Sequence, residues 1–337
     1  MTDEAWRGVN KLKHIRLKPV WFRMRRPFEN MNLQTPFLNQ YGRLRSGWRV
    51  MVFIAVFLAA IIACDLLLFR VNLSSIPHGD FILEVVRRAL LLTSALAAGY
   101  VCCRFLESLP WRSLGLTLHQ GWFRDFAIGT VVGAISLTIA VLVATAAGGL
   151  RFTLTSNDAM ALTIRSLGTS AVLFVVAALA EEAMFRGYAL QTFTRAHLAA
   201  LGIFLTSVPF GLVHLWNPNV VRGITFANTA LAGIWLAIAY MRTRSLWLPL
   251  GVHWSWNWAL GSVFGLPVSG MKVVSHTLFQ GNDIGPAWLT GGSYGIEGGA
   301  ACTLALVLSS LFLWRTGWLH ATPELLELTS EEIPNVQ

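Results

Sequence analysis

The hydrophobic positions of this chain fall in long blocks, each close to the 20 or so apolar residues a helix needs to cross lipid. Eight blocks are predicted, at 50–69, 89–106, 126–147, 169–189, 198–216, 224–241, 246–264 and 298–314. Most connections between them are short. The longest, 265–297, is rich in Gly, Ser and Pro and reads as an external loop. After Arg315 the chain carries Glu324, Glu327, Glu331 and Glu332 and reads as a short, mobile acidic end. The pattern predicts an all-α fold, a polytopic membrane helix bundle of about eight transmembrane helices. It divides into a basic tail at 1–46, a membrane domain at 47–317 and an acidic tail at 318–337. No internal repeat or low-complexity tract interrupts it.

Composition supports the same class. Hydrophobic residues make up 55% of the 337 residues, charged residues 13%, and mean hydropathy is +0.57. Soluble domains average about 25% charged residues, so most of this surface cannot face water. The net charge of +9 is no sign of nucleic-acid binding, because 11 of the 26 Lys and Arg precede the first span, from Arg7 to Arg49. A basic segment beside a span marks the end facing anionic lipid on the cytoplasmic side. With the N-terminus inside, an even span count returns the C-terminus inside. The inner segments then hold 18 Lys and Arg and the outer ones seven. The expected location is therefore a bacterial cytoplasmic (inner) membrane with both termini cytoplasmic, the first span serving as target and anchor. Cys64, Cys102, Cys103 and Cys302 all lie in apolar segments without zinc-site spacing and read as small hydrophobes.

Some polar residues within spans have plain roles. Asp65 can reach the interface or pair with Arg70, and Gly129 with Gly133 forms a small-xxx-small pair suited to helix packing. Trp247, Trp254, Trp256 and Trp258 fit an interfacial belt or a cavity lining around His253. Glu181, Glu182 and Arg186 are different. They follow Ala171–Ala180, a run without a polar side chain, and charge at bilayer depth costs roughly 2.5–3.5 kcal/mol per group on insertion scales. Residues four apart share a helix face, so Glu182 and Arg186 can form a buried pair while Glu181 presents its carboxylate elsewhere. The same spacing recurs in Phe210–His214 and His253–Asn257. An acid, two imidazoles and a carboxamide can position and deprotonate a water and donate to a carbonyl oxyanion, which suits amide hydrolysis.

Those three motifs, Glu181-Glu182-x-x-x-Arg186, Phe210-x-x-x-His214 and His253-x-x-x-Asn257, resemble in order the motifs of a known family. It is the CAAX-protease and bacteriocin-processing (CPBP, or Abi) family of intramembrane endopeptidases, whose prototype is the type II CAAX prenyl endopeptidase. Phe185-Arg186-Gly187 and Trp111-Arg-Ser-Leu-Gly-Leu116 agree with it, and the resemblance covers about 110–262. It implies that Glu181 and His214 activate the attacking water while His253 and Asn257 stabilise the oxyanion. Glu182 and Arg186 would hold the first acid, and Phe210 would shape the pocket. Family members are often labelled metalloproteases, although the prototype site has also been described as a metal-free glutamate protease. The cofactor expectation is thus none or zinc, the latter held by Glu181, His214 and His253 with a water. The chain lacks the His-Glu-x-x-His pattern of common zinc proteases.

The expected activity is cleavage of a membrane-associated protein or peptide near the bilayer surface, with lipid as the other partner. Two rival readings use the same residues: a catalytically silent immunity or scaffolding member, and a proton-coupled transporter. Depth sets one condition. At ~1.5 Å per residue Glu181 and His253 lie about 17–18 Å from the outer ends of their spans, but His214 only ~3–8 Å. A tilted or recessed helix is required to bring them level.

Overall fold

The computed structural model describes residues 36–39, 42–69 and 79–330. Most of the predicted basic tail, Arg70 and residues 331–337 lie outside these. The helices are α1 (Ser46–Leu68), α2 (Gly79–Leu106), α3 (Trp122–Ala146), α4 (Met160–Glu182), α5 (Leu190–Arg195), α6 (Ala199–Val213) and α7 (Ile224–Thr243). They continue with α8 (Trp247–Trp258), α9 (Ala287–Thr290), α10 (Ala300–Arg315) and α11 (Pro323–Ser330). A wider π-helical segment, Ala183–Ala189, joins α4 to α5, and a second, Ala259–Val263, extends α8. One two-stranded sheet, β1 (Leu150–Leu154) with β2 (Phe279–Asp283), is the only regular strand pair among the described residues.

The protein is an all-α polytopic membrane bundle. Six helical runs are long and apolar enough to cross a bilayer: Ser46–Leu68, Phe81–Leu106, Trp122–Ala146, Asn157–Arg195, Ala199–Trp216 and Ile224–Thr243. The last two predicted spans fold as the shorter α8 and α10 instead. Their hydrophobicity serves protein contact as much as lipid contact. Leu248, Leu250 and Val252 of α8, and Ala301, Ala305 and Leu306 of α10, are at most 1% exposed.

Contacts at the helix ends fix the path. Arg49, at the start of α1, pairs with Glu107 just past α2, and Glu107 also pairs with Arg195 at the end of α5. On that same side Leu246 N–H donates to Gly115 O, Arg242 donates to the carbonyls of Thr316 and Leu319, and Arg112 pairs with Glu324. At the other side β1 pairs antiparallel with β2, from Leu150↔Asp283 to Leu154↔Phe279. The chain therefore passes back and forth through α1, α2, α3, α4–α5, α6, α7, α8 and α10. Residues 46 and 316 end on one side.

The α3–α8 contact is the tightest in the bundle and sets the position of His253. A Cβ on Gly129 would lie 2.2 Å from Leu248 O, and one on Gly133 would lie 2.2 Å from Val252 O. Gly251 meets Phe126 O the same way. Only hydrogen at these positions lets the backbones approach, as in close membrane helix pairs. The tryptophans of α8 are anchors rather than a belt. Trp254 Nε1 donates to Ala171 O and Trp258 Nε1 to Leu167 O, both on α4, while Trp247 Nε1 donates to Thr117 O.

Two expectations for the connections and tail need correction. The 265–297 segment is not a plain external loop: it contains β2, α9 and two short 3₁₀ turns, and buries Leu266, Val268, Leu289, Tyr294 and Ile296. The region after Arg315 is not a mobile end as far as Ser330. α11 forms there, buries Leu325 and Thr329, and receives a hydrogen bond from Arg244 at Thr329 O. In both segments the anchoring partners are far away in sequence.

Candidate active site

Glu181 and Glu182 close α4 where the backbone widens into the Ala183–Ala189 segment that carries Arg186. Such π segments inside α-helices recur at functional sites, since the extra residue re-aims the side chains that follow. Glu182 and Arg186 have fully buried side chains and pair through Oε1 and Nη1 at 3.1 Å. Arg186 Nη2 donates to Gly233 O on α7 at 3.0 Å, and its guanidinium stands 4.7 Å from the centre of the Phe210 ring. A buried charge without such partners would be strongly destabilising, by about 3–5 kcal/mol when one partner is removed.

Glu182 does more than balance Arg186. Its Oε1 also accepts a hydrogen bond from Nδ1 of His253 at 2.8 Å. A carboxylate can only accept, so Nδ1 carries the proton and Nε2 is turned to the opposite side of the ring. There Nε2 faces Glu181 Oε2 at 3.7 Å, beyond direct hydrogen-bond range. The two acids thus flank one imidazole. Glu181 Oε2 is itself buried and has no hydrogen-bond partner among the described residues, although the side chain as a whole is 19% exposed.

His214 begins a 3₁₀ turn, His214–Trp216, at the point where α6 ends. Its Nδ1 donates to Phe210 O at 2.6 Å, leaving Nε2 with a free lone pair. The buried Phe210 ring is shared: its centre is 4.7 Å from the His214 ring and 6.1 Å from the His253 ring. Phe185 closes on it edge-on at 5.2 Å. Asn257 follows His253 by one turn of α8, half-buried, and its carboxamide makes no hydrogen bond with the described residues.

The structure therefore brings Glu181, Glu182, Arg186, Phe210 and His253 into one contiguous cluster. His214 joins through the Phe210 ring, and Asn257 through its place on α8. Glu181 and His253 lie level with each other, since His253 Nε2 and Glu181 Oε2 are 3.7 Å apart. Counted at ~1.5 Å per residue, Glu181 is about 21 Å from Arg195 and His214 about 23 Å from Ala199. The start of α8 is enclosed by protein, with Ser245, Leu246 and Leu248 wholly buried.

Among the described residues no three His, Cys, Asp or Glu side chains converge in a way that could hold a metal ion. Glu181, His214 and His253, the set zinc would need, are not so arranged.

One acid near this cluster was not singled out from the sequence. Glu297 is buried, accepts a hydrogen bond from Trp256 Nε1 at 3.0 Å, and lies within electrostatic reach of His214 and His253. Burial pushes its carboxyl above the usual range, against the pull of the Ser269 and Trp256 donors and of both histidines. The available signal was its isolation, as the sole acid between Asp283 and Glu324.

Residues 163–259 match the family model described as Rce1-like, type II CAAX prenyl endopeptidase Rce1-like. The resemblance read from the motifs is thus shown over that stretch, which holds every motif residue from Glu181 to Asn257. Over that stretch the chain is similar to a family of CAAX-type prenyl endopeptidases. No curated protein and no solved structure matches the chain.

Proposed function

We propose that the protein hydrolyses a peptide bond of a membrane-associated protein or peptide, with Glu181 as general base. The observation that carries this reading is the unpartnered, buried Oε2 of Glu181, facing an imidazole whose far nitrogen is locked by Glu182. In this reading Glu181 Oε2 and His214 Nε2, both acceptors, hold the attacking water. Glu181 removes one proton as the water oxygen attacks the carbonyl carbon. The oxyanion then receives hydrogen bonds from Asn257 Nδ2 and from His253. With Nδ1 tied to Glu182, a second proton on Nε2 gives His253 a carboxylate at each nitrogen and leaves Nε2–H as a donor. The Glu181 carboxylic acid finally returns its proton to the leaving amine nitrogen. General-base help is worth about 10²–10⁴-fold and one oxyanion donor about 10²–10³-fold.

The basic excess on the side of residues 46 and 316 supports a cytoplasmic placement of both termini, in a cytoplasmic membrane. The test is comparative mapping of new peptide ends in membranes carrying the intact chain or Glu181→Ala. Peptide ends that depend on Glu181 are expected. Identical end profiles from the two, at equal protein levels, would sink the assignment and favour a silent or transporting role.

A further inference from the structure

The seven motif residues sit on α4, the Ala183–Ala189 segment, α6, the turn after it and α8, but nothing within the 163–259 match links the His214 turn to α8 by a hydrogen bond. That link comes from the segment 265–299. Both oxygens of Glu297 are occupied. Oε1 accepts from Trp256 Nε1 at 3.0 Å, and Oε2 accepts from Ser269 N–H at 2.5 Å and Ser269 Oγ–H at 3.3 Å. Trp256 lies between His253 and Asn257 on α8. Ser269 O in turn accepts from Asn217 Nδ2 at 3.1 Å, three residues past His214.

We propose that Glu297 is a positioning residue for the reaction: its carboxylate fastens the His214 turn to the helix that carries His253 and Asn257. The inference rests on the protease reading and adds a residue outside the family match. Three further observations fit it. Ser269 holds a left-handed φ of 48°, a strained value for a non-glycine residue, which the Glu297 and Asn217 bonds over-determine. The Glu297 backbone is itself pinned to α7, where Asn228 Nδ2 donates to Glu297 O at 2.9 Å. Its raised proton affinity from burial matches an acid kept for geometry at a cost in solvation. Because neither oxygen is open, Glu297 differs from Glu181 and does not act as the base.

A carboxylate offers an acceptor at each end, whereas an amide of the same shape must turn an NH₂ towards Trp256 or Ser269. Glu297→Gln therefore breaks one half of the clamp with almost no change in volume. Trp256→Phe removes the other half while the acid stays. Both are measured on the full chain in liposomes, with a fluorogenic peptide spanning the strongest Glu181-dependent cut. Thr155→Ala serves as control, since Thr155 Oγ1 holds the same long segment at Thr277 O, away from the histidines. The expected result is a fall in kcat of about 10–100-fold for Glu297→Gln, with KM within about threefold. Trp256→Phe should lose about 3–10-fold, and the double variant should be no slower than Glu297→Gln alone. Thr155→Ala should stay within twofold of the parent kcat.

Full kcat in Glu297→Gln and Trp256→Phe, with Glu181→Ala inactive, would overturn the clamp and leave the protease reading intact. The same follows if Glu297→Gln, Trp256→Phe and Thr155→Ala all lose activity only in proportion to melting temperature. Cleavage retained by Glu181→Ala would remove the underlying reading and the clamp with it.

Discussion

Two buried carboxylate clusters lie on the same helical run, about 20 Å apart, and they behave as opposites. At the end of α5, Glu107 accepts from Arg195 Nε at 2.8 Å and Thr192 Oγ1 at 3.0 Å, and pairs with Arg49 at 3.1 Å. Both its oxygens are taken. At the end of α4, Glu182 Oε1 is matched by both Arg186 and His253, whereas Glu182 Oε2 and Glu181 Oε2 stay buried without a hydrogen bond to the described residues, and it is Glu181 Oε2 that faces His253 Nε2. The ingredients are nearly the same. Complete matching yields a fastening between helix ends, whereas one open acceptor beside a histidine yields a group that can take a proton. Buried polar atoms are seldom left without partners, so an open acceptor that also faces an imidazole, as Glu181 Oε2 does, is the better guide to chemistry.

The sharpest way to break this contrast is to truncate one acid from each cluster. Glu181→Ala should lower kcat by at least about 10³-fold while the melting temperature in detergent moves by no more than a few degrees. Glu107→Ala should do the reverse. It leaves Arg195 and Arg49 without their shared anion, a loss of about 3–5 kcal/mol, and the surviving folded fraction should keep its kcat. A Glu107 variant that is stable but inactive, or a Glu181 variant that unfolds, would dissolve the distinction.

Glu182 shares features of both clusters and sharpens the comparison further. In Glu182→Gln the amide oxygen can still accept from His253 Nδ1 and Arg186 Nη1, so geometry is kept and only the charge is lost. A fall in kcat of about 10–100-fold with a drop of several degrees in melting temperature is expected from steady-state assays and thermal scans. Unchanged activity would mean that Glu182 supplies placement alone.

Much of this was legible beforehand, because the relevant signals are local. The i,i+4 spacing of Glu182 and Arg186, of Phe210 and His214, and of His253 and Asn257 is fixed by helix geometry wherever the helices pack. The Gly129–Gly133 pair announced a close helix contact, and the structure shows α8 as the partner. What could not be read depends on partners distant in sequence. Hydropathy alone did not show that α8 and α10 are shorter than the other passes and turn much of their apolar surface to protein. Glycine-rich 265–297 scored as loop because its order comes from Asn217, Asn219 and Asn228, none of them nearby in the chain. Glu182 was expected to brace Glu181, yet its second bond goes to His253, a contact across 71 residues.

The α3–α8 contact offers a smaller perturbation that acts on the site at a distance. Gly133→Ala places a methyl 2.2 Å from Val252 O and Ser255 Oγ, so α8 must shift. Overpacking of this kind costs about 1–3 kcal/mol. His253 rides on the next residue, so kcat should fall by several-fold beyond what the melting temperature predicts. Gly148→Ala, where a Cβ meets nothing within 4 Å but φ is +74°, controls for backbone strain alone and should spare kcat.

The smallest effect separates two acids outside the spans, Glu107 and Glu297, by the sign of their pH dependence. Burial pushes Glu107 up, but Arg195 and Arg49 outweigh it and hold its carboxyl below the ordinary value near 4.5. A depressed acid contributes stability that is complete above its unfolded pKa and disappears as pH falls through the folded one. Glu297 is raised by burial, so its contribution is present below about pH 4.5 and declines as pH rises towards its folded value. Melting temperatures of the purified chain, followed between about pH 3 and 8, should therefore respond oppositely to the two amides. Glu107→Gln should flatten the loss on the acid side of about pH 4.5, and Glu297→Gln the loss on the alkaline side. Equal flattening on the acid side by both would show that Glu297 is held as firmly in its charged form as Glu107, and that its burial carries no cost in solvation.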